Sequence, residues 1–241
     1  PRVVKAYDVR REEILACAQG LFAAEGYDGT TVNAIIEETG IAKGTFYHYF
    51  ASKEDLLDAL VERLSGRILS AMAPILESEA PAVDKLRRIH EAAATVKGAH
   101  AALLLEYLRV LYRPENLLAR HKMTERALRA VIPIYGRVIR QGVEQGLFDT
   151  RHPEAASEIL LRAWSGLVDA IARRLLDGAG GPESLLEARG WLEAFDEMAE
   201  RALGASRGSL GLADAVRGAL AAFEGSLARE AVPAMANGGD S

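Results

Sequence analysis

Apolar positions recur at helical spacing along almost the whole chain, and no stretch shows the strict alternation of a strand. Ile14, Ala18, Leu21 and Phe22 share one face and predict a helix over about 9–25, closed by the turn Gly26-Tyr27-Asp28-Gly29. Thr30-Thr31 then offers a capping hydroxyl to a helix carrying Val32, Ile35 and Ile36, which Gly40 ends. The next helix has room only for about 42–50, because Ser52, with Asp55 three residues on, restarts the chain ahead of Leu56, Leu57 and Leu60. Leu21, Phe22, Ile35, Phe46 and Phe50 are the expected centre of this small core, and residues 1–8 read as a flexible arm.

A long helix follows over about 53–72, where Pro74 interrupts. Further helices are expected over 81–97, with Pro81 at the first position, and over the nearly all-apolar 99–112. Others follow over 115–144, kinked at Pro133, then 153–177, 182–203 after the glycine-rich 177–181, and a last amphipathic segment over 210–227. The expected architecture is all-α. A three-helix helix-turn-helix domain over 1–52 precedes a larger helical domain over 53–230, with a flexible tail over 231–241.

The short third helix carries the chemistry. Phe46 and Phe50 lie on one face and can bury, whereas Gly44, Tyr47 and His48 point the other way, with Lys43 and Thr45 at its N-terminus. A helix made only for a core has no use for that polar outer face. Its size suits the DNA major groove, and its N-terminal amides favour a phosphate.

The segment from Thr30 to Leu57, above all Lys43-Gly44-Thr45-Phe46-Tyr47-His48-Tyr49-Phe50 followed by Ser52-Lys53-Glu54, resembles the DNA-binding signature of the tetracycline-repressor (TetR) family of transcriptional regulators. The resemblance covers about the first fifth of the chain. It implies that Thr31, Thr45, Tyr47, Tyr49 and Lys53 mostly hold phosphates, while Asn33, Lys43 and Gly44 reach base edges, with Tyr47 and His48 as additional contacts. Lys43 can donate to guanine, and Asn33 can pair with adenine. Two positions depart from the family pattern: Ala42 stands where Ser or Thr often caps the helix, and Asn33 where a basic residue is frequent.

Composition and charge adjust this picture. The net charge is −5, and within residues 1–55 Arg2, Lys5, Arg10, Arg11, Lys43 and Lys53 face nine acids, so the small domain is not basic in bulk. DNA binding then rests on positive potential gathered on one surface, with modest non-specific affinity. The single cysteine, Cys17, excludes a disulfide framework and a Cys-based zinc site; it reads as an inert thiol among apolar residues. No apolar run reaches membrane-spanning length and no signal-peptide pattern opens the chain, so the expectation is a cytoplasmic protein away from membranes.

Two other classes of function compete. An enzyme would draw on His90, His100, His121, His152 and scattered acids, but no His-x-x-x-His, Glu-x-x-His or glycine-rich phosphate loop is present, and no cofactor or metal is implied. A purely architectural DNA-binding module has no use for so much helical chain beyond residue 52. The apolar circumference of the helix over 153–177, with Leu185, Trp191, Leu192, Phe195 and Met198 of the next, exceeds what one interior covers, and with the resemblance implies a homodimer on a palindromic duplex operator. His90, His100, Glu106, Tyr107, Tyr112, Tyr135 and Trp164 interrupt otherwise aliphatic faces and are the candidate effector-binding residues for a small hydrophobic molecule that releases the operator.

Overall fold

A computed structural model describes residues 7–176 and 182–236. Among these there are ten α-helices and no strand: α1 (Tyr7–Gly29), α2 (Val32–Thr39), α3 (Lys43–Tyr49), α4 (Lys53–Glu77), α5 (Ala82–Gly98), α6 (Ala101–Leu111), α7 (Leu117–Glu144), α8 (Pro153–Leu176), α9 (Pro182–Leu203) and α10 (Leu212–Ala236). The expected arm before residue 7, the linker 177–181 and the last five residues lie outside the described residues. α10 covers the first six residues of the expected tail. Contacts divide the chain into two compact units, one of residues 7–67 with 102–107, the other of 68–101 with 108–236.

In the first unit the helix ends follow from local chemistry. Thr31 caps α2 by accepting the Ala34 N–H at 3.1 Å. Gly40 ends that helix at φ 63, and the Ile41 N–H closes onto the Ile36 carbonyl at 3.2 Å. Ala42 begins α3 with no side-chain cap. Ser52 takes the Asp55 N–H while Asp55 reaches back to the Ala51 N–H, two helix-start donors satisfied by neighbouring side chains. The core is Ile14, Leu15, Ala18 and Phe22 of α1 with Ile35, Phe46, Phe50, Leu56, Leu57 and Leu60. Leu21, expected at its centre, is only half-buried, because α1 turns Ile14, Leu15 and Ala18 inward instead.

Two boundaries differ from the sequence reading in informative ways. α4 does not stop before Pro74 but carries it inside the helix as far as Glu77. Pro74 is exposed, and Met72 and Ile75 on either side are buried, so packing of that turn outweighs one missing N–H bond. α1 runs past the expected end at Glu25, but Gly26 breaks it with φ 75 and ψ 165, a conformation that favours glycine.

The second unit is built from α5, α7, α8, α9 and α10, with α7 lying along α8 and α10 along α5. Met72, Ile75, Leu86, Ile89, Val138, Ile139, Phe148 and Phe195 form its main core. Buried Glu200 accepts the N–H groups of Gly208 (2.8 Å) and Leu210 (3.1 Å), and Asp196 accepts those of Leu212 and Ala213, so two α9 carboxylates hold the turn into α10. The sequence reading missed this pair.

Candidate nucleic-acid interface and effector cavity

α3 presents one buried and one open face. Phe46 is fully buried and Phe50 nearly so, whereas Lys43, Gly44, Tyr47 and His48 are exposed and Thr45 and Tyr49 half-buried. Tyr47 stands 48% exposed although its neighbour Phe46 is inaccessible, so the aromatic run splits by helical angle rather than by hydropathy. Thr31 and Asn33 at the start of α2 are exposed as well. Gly44 has nothing within 4 Å of where a Cβ would sit, which leaves the backbone of α3 open to close approach.

Tyr7 supports this face, and the sequence reading had placed it in the arm. Its ring lies 4.6 Å from that of Tyr49 and 5.9 Å edge-on from that of His48, while the Arg11 guanidinium sits 5.4 Å from the Phe50 ring. The signal available in the sequence was only an aromatic residue just ahead of an apolar helix.

Lys53 is largely engaged inside the unit. Its ammonium donates to the carbonyls of Tyr27 (2.8 Å) and Thr30 (3.0 Å) and lies 4.1 Å from the centre of the Tyr27 ring. Two of its three hydrogens are thus committed, leaving one for a phosphate. Cys17 is half-buried, and burial, then the charge of Glu38, pushes its thiol up, away from thiolate reactivity.

The seven candidate effector residues are not brought together. Glu106 and Tyr107 belong to the first unit: Glu106 accepts the Tyr27 N–H at 2.7 Å, and Tyr107 hydrogen-bonds Asp58. His100 contacts the Val96 carbonyl of its own helix at 2.9 Å. Tyr112 donates to Asp169 at 2.7 Å, with the Arg120 guanidinium 4.4 Å from its ring. Only His90, Tyr135 and Trp164 meet. They line a cavity of about 30 Å³ with Ser157, Phe195 and a shell of leucines, Ile139 and Ala199. The His90 ring stands edge-on to Tyr135 and Trp164, and Trp164 continues onto Phe195 at 5.1 Å.

Burial pushes His90 down to about 4, and it stays neutral under ordinary conditions. In the unfolded chain it titrates at its usual 6.5. Between these values the unfolded state binds the extra proton, so stability falls as pH drops through this window and the loss is complete below about 4. The contribution is roughly 3 kcal/mol. Thermal melts across this range are expected to slope downward toward acid, and His90→Gln to flatten the slope; an unchanged slope would contradict the burial argument.

Among the described residues no three His, Cys, Asp or Glu side chains gather to hold a metal ion. Gly204-Ala205-Ser206-Arg207-Gly208 has the Gly-x-Ser-x-Gly spacing of a hydrolase nucleophile elbow. It leaves the end of α9 rather than a strand, and Ser206 is exposed on the turn that Glu200 ties down, so the context that motif needs is missing.

Comparison with known proteins bears on the first unit and on the whole chain. The family model described as bacterial regulatory proteins, tetR family, matches residues 14–60, which span most of α1, all of α2 and α3, and the start of α4. The HTH-type transcriptional repressor KstR2 of Mycobacterium tuberculosis is 29% identical over 151 residues, 61% of this chain and 73% of that protein. The fatty acid metabolism regulator protein of Bacillus subtilis is 29% identical over 135 residues, 56% of this chain and 68% of that one.

Residues 14–60 carry the DNA-binding domain of the TetR family. The structure of Salmonella enterica GusR shares the fold, with a TM-score of 0.56 at 21% identity over 83% of this chain and 98% of that one. TetR-family proteins are DNA-binding transcriptional regulators rather than enzymes, and they are typically dimeric and effector-responsive. A chain that carries this domain is a transcriptional regulator. No described helix is long and apolar enough to cross a membrane.

Proposed function

We propose that the regulator is a repressor that binds a palindromic operator as a homodimer and is released by a small hydrophobic effector. The observation that carries this reading is the open face of α3, where Lys43, Gly44, Tyr47 and His48 stand exposed on a helix anchored by Phe46 and Phe50. The names of the relatives as repressors support the sign of regulation. Residues 1–52 form the DNA-binding domain in this reading, and 53–230 the effector and dimerisation domain.

Lys43 and Asn33 read bases, with Gly44 admitting the backbone to the groove. Thr31, Thr45, Tyr47, Tyr49 and Lys53 hold phosphates, and His48 adds a contact beside Tyr47. Lys43→Ala is expected to cost about 1–3 kcal/mol at one base pair and to relax preference there, leaving affinity for scrambled DNA nearly unchanged. Equal losses on operator and scrambled duplexes, read by fluorescence anisotropy, would instead make Lys43 a phosphate contact.

Dimerisation is supported by α8 and α9. Ile159, Ala163 and Gly166 are exposed along one side of α8, and Ala194, Met198 and Ala202 along one side of α9, an apolar stripe on each of two helices that pack together. The side chain of Leu185, also expected there, lies outside the described set. Two recognition helices about 34 Å apart then match one turn of DNA.

His90, Tyr135 and Trp164 mark the effector site; His100, Glu106, Tyr107 and Tyr112 are left to other contacts. α4 supplies Leu56 to Leu64 to the first unit and Met72 and Ile75 to the second, and a ligand that favours one placement of α4 changes the spacing of the recognition helices. Operator titration with and without stabilising ligands tests the scheme. A ligand that raises the melting temperature yet leaves operator affinity unchanged defeats it, and one that tightens binding makes the protein a co-repressor-dependent regulator.

A further inference from the structure

The polar equipment of the small cavity is specific. The Nδ1 of His90 lies 2.9 Å from the Leu86 carbonyl, which can only accept, so Nδ1 carries the hydrogen. The ring is buried and neutral, which leaves Nε2 as a bare acceptor. The Tyr135 hydroxyl is 3.3 Å from Nδ1 and 3.4 Å from Nε2, nearly equidistant, so it sits off the Nε2 lone-pair line and makes no good hydrogen bond to it. A donor and an acceptor thus stand side by side, poorly used, against the rings of Trp164 and Phe195. No Asp, Glu, Lys or Arg lines the cavity.

We propose that the effector is an uncharged molecule with a flat hydrocarbon body and one buried hydroxyl, which accepts from Tyr135 Oη and donates to His90 Nε2. The inference rests on the effector reading above and names its chemistry. A hydroxyl is the group that satisfies both partners at once; a keto oxygen accepts only and leaves Nε2 without a donor. A carboxylate would surrender its hydration with no cation among the lining side chains to meet it. The body stacks along Trp164 and displaces the present contact between Tyr135 and His90.

The test uses the full chain, calorimetric titration at neutral pH, and three probes that differ in one group: 2-naphthol, naphthalene and 2-naphthoate. Expected is about tenfold tighter binding of 2-naphthol than of naphthalene, the scale of one or two buried hydrogen bonds, and no measurable binding of 2-naphthoate. Tyr135→Phe removes one oxygen and should cost 2-naphthol most of its advantage while leaving naphthalene unchanged. The inference is overturned if 2-naphthoate binds as well as 2-naphthol, if Tyr135→Phe weakens both neutral probes alike, or if 2-naphthol does not bind. Comparing the three probes on the unmodified chain keeps the test valid even if the variant folds poorly. Operator anisotropy in parallel separates the two readings: selective 2-naphthol binding with unchanged operator affinity supports the cavity chemistry and refutes effector control.

Discussion

Phe46→Ala is expected to destabilise the DNA-binding unit by about 3–5 kcal/mol, the usual range for emptying a buried phenylalanine site, and to abolish operator binding. Phe46 is inaccessible, its ring lies 6.0 Å from that of Phe50, and it anchors a helix of seven residues with no side-chain cap at its start. So short a helix does not persist in water on its own propensity, so its order comes from tertiary packing. Tyr47→Ala, one residue on and half-exposed, should leave stability nearly untouched and lower DNA affinity alone. Denaturant melts and anisotropy on both variants check the pair. Similar losses of stability in the two would mean that the two faces of α3 are not divided as described.

Ile159→Glu is the other large effect. Ile159 is 66% exposed, so within one chain the substitution costs little and the monomer fold should survive. Across a symmetric interface the same change introduces two charges into an apolar contact, because each copy presents the same stripe. Sedimentation should show a monomer at micromolar concentration. Operator affinity should fall by about 100-fold or more, as the second half-site no longer contributes through effective concentration. A dimer that persists would move the interface off α8.

What could be read from the sequence was what local chemistry decides. Thr31 and Gly40 bound α2 because a hydroxyl and a left-handed glycine are needed at its ends, and Phe46 and Phe50 mark the inner face of α3 because four residues make about one turn. Pro74 misled because a proline rule looks at one residue, while the burial of Met72 and Ile75 is decided by helices that follow. The effector candidates scattered for the same reason. Periodicity assigns a residue to a face but does not say which helices meet, so His90, Tyr135 and Trp164 converge while Glu106 and Tyr107 bond within the other unit. Lys53 carries the charge a phosphate needs, yet nothing in its neighbours foretold that two backbone carbonyls would claim it.

The cavity beside His90 has room for about one water molecule, whereas a molecule the size of a typical organic ligand needs several hundred cubic ångströms. In the proposed effector reading, entry therefore waits for the side chains that line the cavity to part. A closed door of this kind sets a clock. If the effector acts from this cavity as proposed, the lag before the operator is freed shortens at low dose as effector is added, but at high dose it settles at the protein's own opening time, and further effector brings no quicker response.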